Sequence, residues 1–231
     1  MKNLAKRIIS KTIKINELDS HDKDLMFCIF KKYYRGASYE KFLLDLHSKN
    51  HIILLIDKVE GGIRGFSTLQ DVEFIIEGKK VRGIFSGDTI LEKEYWGQKA
   101  LNWAFTCYLL KKQLKNPLRP VYWFLISKGY KTYLLLTNNF SEHYPRYDRD
   151  ISPFYKKLIN HFGGQFYPNN FNNKTGIIEL NGESDFLNEH VAPITESLLT
   201  IPEVDYFNQK NPSWSKGNEL VCLGKFNFKL I

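Results

Sequence analysis

The sequence predicts a mixed α/β fold, in which an antiparallel meander leads into a parallel crossover and helices flank the sheet. Hydrophobic residues make up 43% and aromatic residues 15% of the 231 positions, which is enough apolar material to bury a core. Two turn signals in succession separate three apolar stretches, a pattern typical of a meander. A helical pattern then lies between two apolar strands, and a connection of this length joins parallel strands.

The first part of the chain predicts an edge strand followed by two helices. The strand covers Arg7–Ile15. Asp19 or Ser20 can cap a helix that runs to about Arg35, since a side-chain oxygen at this position satisfies a free backbone N–H group. Ser38 begins the second helix, whose apolar residues have the i, i+3, i+4, i+7 spacing of one helix face. They are Tyr39, Phe42, Leu43 and Leu46.

Three strands follow and form the predicted meander. They cover His51–Ile56, Ile63–Ile76 and Val81–Leu91. Gly61-Gly62 marks the first turn, and Glu77-Gly78-Lys79 marks the second.

The next helix, from Gly97 to about Lys112, is apolar on nearly all sides. We therefore expect it to pack against a sheet over most of its surface. Val121–Ser127 is almost wholly apolar, which indicates a strand covered on both faces. The sequence predicts that this strand lies parallel to Val81–Leu91.

The rest of the chain predicts shorter elements. In chain order they are helices at Tyr130–Thr137 and Pro153–Phe162, an irregular stretch at Gln165–Lys174, a strand at Gly176–Leu180, short helices near Pro193–Leu199 and Pro202–Gln209, and an alternating terminal strand at Leu220–Leu230. No convincing linker divides the chain. We expect a single domain over residues 1–231, with a core at about 7–136 and a C-terminal extension at about 137–231.

Composition narrows the function classes. The net charge of +8 favours an anionic partner, although its even spread along the chain also suits an ordinary basic surface. No apolar run reaches the length of a membrane span, and no secretory signal is recognisable, so a cytoplasmic location is expected. Cys28, Cys107 and Cys222 lie far apart in apolar segments and are predicted to be small core residues without chemistry.

One short motif points to a known superfamily. Leu91–Leu101, LEKEYWGQKAL, follows the third meander strand and opens the long helix. Together with the order of elements, it resembles the GNAT superfamily of N-acyltransferases, whose members carry a Tyr-Arg-Gly-Gln/Lys-Gly-x-Gly turn at this point. Tyr95, Gly97 and Gln98 match that turn, and the topological resemblance covers roughly Arg7–Leu136.

The resemblance implies that this turn holds the pyrophosphate of an acyl-CoA through backbone N–H groups. A helix N-terminus suits an anion because its first N–H groups are unpaired and the helix dipole is positive there. The chain departs from the family because Trp96 replaces the arginine, and Lys99 and Leu101 replace the two later glycines. The candidate donor site consists of Trp96, Gly97, Gln98, Lys99 and Ala100.

The resemblance also implies a general base on the last meander strand or its neighbour. Asp88 lies there in SGDTI, where a carboxylate is unfavourable for a strand and costly to bury without a partner. We therefore take Asp88 as the candidate base; a solvated or Arg82-paired carboxylate is the alternative. Glu92 and Glu94 are expected to be solvated residues beside the turn.

In the family the general acid is commonly a tyrosine on the helix after the buried strand. Tyr133, with Tyr130 beside it, lies in that helix by position. Tyr155, in FYKKLINHFGG, resembles the family's Phe-Tyr string but comes later in the chain. Position makes Tyr133 the candidate acid, and packing is the default role of any tyrosine.

Other catalytic templates are absent from the sequence. It contains no Walker loop, HExxH, GxSxG or paired CxxC motif, and its six histidines show no ligand spacing, so no metal is expected. His143 lies in a polar, aromatic loop with Arg146 and Arg149 and is a possible substrate contact.

The sequence thus predicts an acyltransferase that uses acetyl-CoA, a longer acyl-CoA or an acyl-carrier protein as donor and an unidentified amine as acceptor. Two alternatives stay open. The fold could serve as a non-catalytic binding module, because the turn has lost its glycines. The basic charge, with aromatics such as Tyr33-Tyr34-Arg35 and Tyr144–Arg149, could also bind nucleic acid by stacking and charge.

Overall fold

A computed structural model describes residues 7–180, 186–187 and 193–227 of the chain. Among these residues the strands are Ile8–Lys14 (β1), Tyr34–Arg35 (β2), His51–Asp57 (β3), Ile63–Ile76 (β4), Lys79–Leu91 (β5), Val121–Ser127 (β6), His143–Tyr144 (β7), Phe171–Asn172 (β8), Ile177–Ile178 (β9), Phe186–Leu187 (β10) and Glu219–Phe226 (β11). The α-helices are Ser20–Tyr33 (α1), Tyr39–His47 (α2), Ala100–Lys115 (α3), Tyr130–Asn139 (α4), Pro153–Phe166 (α5) and Pro202–Lys210 (α6).

The chain forms two compact units. The first comprises Met1–Tyr33, Ala37–Val72 and Ile84–Pro117, and the second comprises Tyr34–Gly36, Glu73–Gly83 and Leu118–Ile231, within the limits of the described residues. The second unit takes in the turn between β4 and β5 as well as the C-terminal region, so this division does not follow the expected boundary near residue 136. The single-domain expectation stays a prediction.

In the first unit, antiparallel pairing builds the predicted meander. The strand order is β1-β3-β4-β5, with β1 at the edge, and Ile13 lies opposite Ile52 in the β1–β3 pair. Phe42 of α2 packs edge-on against Phe66 of β4, with their ring centroids 6.2 Å apart. The predicted caps are present, since Asp19 accepts from the N–H group of Asp22 and the Ser38 side chain caps α2.

α3 departs from its predicted environment. It starts three residues later than expected and buries only one face; the buried residues are Ala104, Tyr108, Leu109 and Gln113. Trp103 and Leu114 are 65% and 59% exposed. The prediction that α3 packs over most of its surface was therefore wrong, because an apolar composition does not show which faces a neighbour will cover. The cysteine prediction was also wrong in part, since Cys28 and Cys107 are exposed and only Cys222 is buried.

In the second unit the strand order is β5-β6-β11-β9-β8, and β7 pairs with β11. Residues 79–83 of β5 lie beside β6, where a Cβ atom at Gly83 would come within 2.6 Å of the Tyr122 carbonyl oxygen. The sheet is mostly antiparallel and includes a parallel pair, as predicted for the two strands that α3 joins along the chain. Phe124 of β6 stacks on Phe162 of α5 at 4.9 Å.

β11 was predicted as an alternating terminal strand. The strand is present and lies between β6 and β9, but its residues are buried on both faces from Glu219 to Gly224, so the predicted one-sided pattern was wrong. The end of the predicted strand, residues 228–230, lies outside the described residues. In the part of the chain that the structure covers, no helix combines the length and the apolar character needed to cross a membrane.

Candidate functional site

The turn between β5 and α3 carries the residues that the sequence assigned to a donor site. Gly97 has a φ of +84°, a conformation that favours glycine because side chains with a Cβ atom are strained there. Lys99 is exposed and forms the N-cap of α3, and Ala100 is the first helical residue. The turn thus leads directly into α3, which begins three residues after the predicted start at Gly97.

Tyr95 anchors this turn to the end of β3. Its ring is 2% exposed, and its hydroxyl donates to Oδ2 of Asp57 at 2.6 Å. Burial and this bond raise the pKa of Tyr95 to about 12. The bond from Tyr95, with the backbone N–H groups of Glu60 and Val59, lowers the pKa of Asp57. Tyr95 therefore serves the architecture of the turn.

The side chains of Gln98 and Trp96 also bind neighbouring backbone. Gln98 accepts the N–H group of Ile8 at 2.8 Å, which ties the turn to β1. The indole of Trp96 donates to the Leu91 carbonyl at 2.7 Å, and its ring remains 41% exposed. The side chains of Tyr95 and Gln98, which match the family motif, are thus engaged in holding the turn. Backbone groups and Lys99 are left for any ligand.

Glu92 is buried rather than solvated, contrary to the expectation from the sequence. It is 8% exposed, its carboxylate binds the ammonium group of Lys32, and Nη1 of Arg64 lies 3.6 Å from Oε2. A buried carboxylate of this kind requires cationic partners. The pairing fixes the β5 end of the turn.

The N-terminus of α3 has unfilled capacity for an anion. Its N-cap residue, Lys99, makes no side-chain cap bond, and its first turn contains no acidic residue. By contrast, Ser38 and Ser152 cap α2 and α5 with their side-chain oxygens. The first backbone N–H groups of α3 and the positive end of its dipole are therefore available to an external negative charge.

Asp88 lies half-buried on β5, next to a glycine that is close to side chains of β4 and of the segment after α2. A Cβ atom at Gly87 would come within 2.6 Å of Thr68 Oγ1 and 2.9 Å of Lys49 Cε, so a larger residue there would require these side chains to move. The hydroxyl groups of Thr89 and Ser67 are 2.8 Å apart. The candidate base thus lies in a tightly packed strand beside several polar groups.

Lys49 is a residue of this region that the sequence did not single out. Its side chain is 4% exposed, which is rare for lysine, and its ammonium group lies 2.7 Å from Asp45 and 5.3 Å from the centre of the Phe85 ring. The hydroxyl of Thr68, only 1% exposed, has no hydrogen-bond partner among the described residues. The sequence around it, Ser48-Lys49-Asn50-His51, does not distinguish Lys49 from a surface lysine, so sequence reasoning could not find it.

The two candidate tyrosines have different surroundings in the second unit. Tyr133 of α4 is fully buried, and its hydroxyl donates to the Pro145 carbonyl at 2.9 Å. Tyr155 of α5 is 8% exposed, donates to the Glu142 carboxylate and stacks on Tyr144 at 4.5 Å. Burial raises the pKa of both hydroxyls, and for Tyr155 the Glu142 carboxylate adds to the effect.

In the polar, aromatic loop, the histidine is buried, whereas the two arginines line a cavity. His143 is buried, and its Nδ1 atom lies 2.6 Å from the Phe140 carbonyl. Burial lowers the pKa of His143. Arg146 and Arg149 instead line a cavity. Among the described residues there is no group of three or more His, Cys, Asp or Glu residues that could hold a metal ion.

Comparison with known proteins adds a set of distant structural similarities. No family model matches the chain, and no curated protein matches it. Solved structures similar to the chain include GNAT family N-acetyltransferases. A GNAT family N-acetyltransferase of Escherichia coli, solved with CoA, is 12% identical with a TM-score of 0.42; the match covers 61% of this chain and 71% of that one.

Two further structures show the range of these similarities. A conserved protein of Enterococcus faecalis V583, described as a probable N-acyltransferase, is 12% identical with a TM-score of 0.42. That match covers 57% of this chain and only 31% of the other. An acetyltransferase of Trypanosoma brucei is 15% identical with a TM-score of 0.37, and the match covers 63% of this chain and 98% of the other.

Proposed function

We propose that this protein is an N-acyltransferase that transfers an acyl group from a thioester donor to an amine by direct attack. The uncapped N-terminus of α3 supports the proposal most strongly. Its turn is fixed by Tyr95, Gln98 and Glu92, so the free N–H groups are held in place before a ligand arrives. Preorganised donors of this kind bind a phosphate without a further ordering cost.

The proposed donor is acetyl-CoA or a longer acyl-CoA, with an acyl-carrier protein as the other possible thioester. In each case a phosphate group would bind the first N–H groups of α3. Lys99, exposed at the N-cap, would add a formal charge that the family's glycine does not supply. Trp96 offers an exposed ring at the same turn.

Asp88 is the proposed general base. An amine is protonated at neutral pH, and it must lose a proton before its nitrogen attacks the thioester carbonyl carbon. The carboxylate of Asp88 would take that proton first, and the neutral nitrogen would then form the C–N bond to give a tetrahedral intermediate. When this intermediate collapses, the C–S bond breaks, the thiolate leaves, and the nitrogen releases its second proton to solvent. The half-buried position of Asp88 on β5 is compatible with this role.

For the general acid, the local hydrogen bonds of the two tyrosines support Tyr155, the later candidate of the sequence, over Tyr133. A proton donor must come within hydrogen-bond distance of the leaving sulfur. The Tyr133 hydroxyl is fully buried and bound to the Pro145 carbonyl, which is typical of a packing role. Tyr155 carries the family-like Phe-Tyr string, and its hydroxyl is bound to a carboxylate instead. We therefore propose Tyr155 as the acid that protonates the departing thiolate.

Product formation tests the proposed activity directly. The purified protein is incubated with acetyl-CoA or longer acyl-CoAs and a panel of amines, and free CoA and acylated amine are counted by liquid chromatography with mass spectrometry. A thiol reagent would be unsuitable because Cys28 and Cys107 are exposed. Acylated amine formed in proportion to free CoA supports the proposal. Binding of an acyl-CoA without turnover on any amine favours a non-catalytic binding module.

A further inference from the structure

A second candidate site lies within the second unit and does not involve the turn before α3. It is a cavity of about 460 Å³, a volume in the usual range for small-molecule sites. Its walls come from the loop 145–151, α5, the turn 173–176, α6 and the start of β11. We call it the extension cavity, since most of its walls belong to the predicted C-terminal extension.

Cations from four separate segments line the extension cavity. They are Arg149 in the loop, Lys156 on α5, Lys174 in the turn and Lys210 on α6. Among the described residues, none of the four forms an ion pair. Other lysines of the same unit do pair with carboxylates: Lys80, Lys128, Lys157 and Lys225. Four cations without an ion pair to a described residue therefore meet at one cavity.

The loop that carries Arg149 is fixed by its own contacts. Arg146 donates to both carboxylate oxygens of Asp148, and its Nη1 atom donates to the Ser141 carbonyl at 3.0 Å. This ion pair neutralises Arg146 and Asp148, so among the described residues of the cavity wall Asp150 is the one remaining acid against four cations. The described part of the wall consequently has a net positive charge of three.

The turn that carries Lys174 is also held in place. The Asn172 side chain accepts the backbone N–H group of Lys174 at 3.0 Å, and Gly176 donates its N–H group to the Asn172 carbonyl at 2.8 Å. Gly176 has a φ of +78°, which allows the chain to reverse. Lys174 is thus presented from a defined turn.

Uncharged residues define the rest of the ligand chemistry. Asn160 and Asn173 offer amide groups, and Ile159, Tyr206 and Leu220 provide apolar wall. A single carboxylate would leave most of the positive charge uncompensated, whereas a phosphate or diphosphate carries two or more negative charges. We propose that the extension cavity binds a small molecule that carries a phosphate or diphosphate next to an apolar or aromatic part.

Two sources could supply such a phosphate: CoA itself, or a separate phosphorylated substrate. The proposed phosphate site is independent of acyl transfer, because only residues of the second unit form it. The two sources differ in their response to CoA, and this difference is measurable.

Calorimetry on the full-length protein tests the proposal with pyrophosphate, ADP, CoA and, as a carboxylate control, citrate. We expect pyrophosphate or ADP to bind the wild type, and Lys174→Ala/Lys210→Ala to weaken that binding about tenfold or more, since each lost contact is a bond to a charged group. The matched control is Lys157→Ala, because Lys157 is adjacent to Lys156 but pairs with Glu77 outside the cavity. The control should bind like the wild type.

The response of CoA binding distinguishes the two sources of the phosphate. If CoA binding weakens with pyrophosphate binding in the double variant and is lost in the presence of ADP, the phosphate source is CoA; if CoA binding is unchanged, it is a separate phosphorylated molecule. The proposal is overturned if neither pyrophosphate nor ADP binds the wild type. It is also overturned if citrate binds as tightly as pyrophosphate, or if Lys157→Ala causes the same loss as the double variant.

Discussion

The turn before α3 and the extension cavity are two proposed anion sites that are built in different ways. In the turn, the side chains of Tyr95, Gln98 and Glu92 bind other parts of the protein, and recognition is left to backbone N–H groups and Lys99. In the extension cavity, side chains themselves supply the charge, and backbone contacts only fix the loops that carry them.

The two kinds of site leave different traces in a sequence. A backbone site needs a turn and a helix start at adjacent positions, so it leaves a local motif. A side-chain site assembled from four segments leaves no motif, because only the fold brings Arg149, Lys156, Lys174 and Lys210 around one cavity. If the backbone site at the α3 turn binds the acyl donor, acyl transfer should depend on residues of the first unit.

Asp88 is expected to give the largest effect. If the chemistry depends on the first unit, Asp88→Asn should lower turnover about 10²- to 10⁴-fold, the usual contribution of a positioned proton acceptor. Donor affinity should change little, because the variant leaves the α3 turn intact. Steady-state kinetics would measure both, with Glu73→Gln as the control, since that carboxylate pairs with Lys80 at the surface. A near-normal rate for Asp88→Asn would show that Asp88 is not the general base.

The two tyrosines test whether the second unit contributes to proton transfer. Tyr155→Phe should slow turnover about 10²-fold if its hydroxyl protonates the thiolate. Tyr133→Phe should instead lower the free energy of unfolding by about 1–3 kcal/mol, because it leaves the buried Pro145 carbonyl without its donor.

Kinetics and chemical denaturation on both variants make the comparison. A large rate loss in Tyr133→Phe, with stability unchanged, would show that Tyr133 is the general acid, as the sequence predicted.

Tyr95→Phe tests the structural role of the turn and should give a smaller effect, a fall in Tm of about 5 °C. Asp57 has a lowered pKa, so the contribution of its bond is present above the ordinary aspartate pKa of about 4 and is lost as the pH falls below it. Tyr95 has a pKa raised to about 12, so its contribution is lost as the pH rises from about 10 toward 12.

Thermal unfolding of the wild type and Tyr95→Phe between pH 3 and 11 would show this window. Tyr39→Phe is the matched control, because Tyr39 forms the same kind of bond with Asp24 at the exposed surface. Equal Tm losses in the two variants, or a Tyr95→Phe loss that does not shrink in acid, would show that the buried pair is not an anchor of the turn.

Much of the fold was accessible from local sequence patterns. The bounds of β4 agree with the prediction, the caps at Asp19 and Ser38 are present, and the helix between β5 and β6 exists with the expected length. These features depend on residues that are neighbours in the chain. Caps, turns and periodicity act over a few residues, so the sequence displays them directly.

The features that sequence reasoning missed depend on distant partners. Tyr95 matches the family motif, but its partner Asp57 is 38 positions away, and no local pattern indicates the bond. The exposed side of α3 at Trp103 has the same explanation, because apolar residues do not show whether another element covers them. The burial of Glu92 could not be predicted without knowing that Lys32 and Arg64 lie beside its carboxylate.

We propose that the N-terminus of α3 holds the phosphate of a thioester donor. Titration calorimetry with acetyl-CoA on the wild type, Lys99→Ala and Lys99→Gly measures this binding. We predict that the wild type binds and that Lys99→Ala loses about 1–3 kcal/mol of binding free energy, a loss that shrinks at high salt. Lys99→Gly restores the family's residue and should lose less than Lys99→Ala if backbone approach matters more than charge. Absence of acetyl-CoA binding by all three proteins would contradict the account.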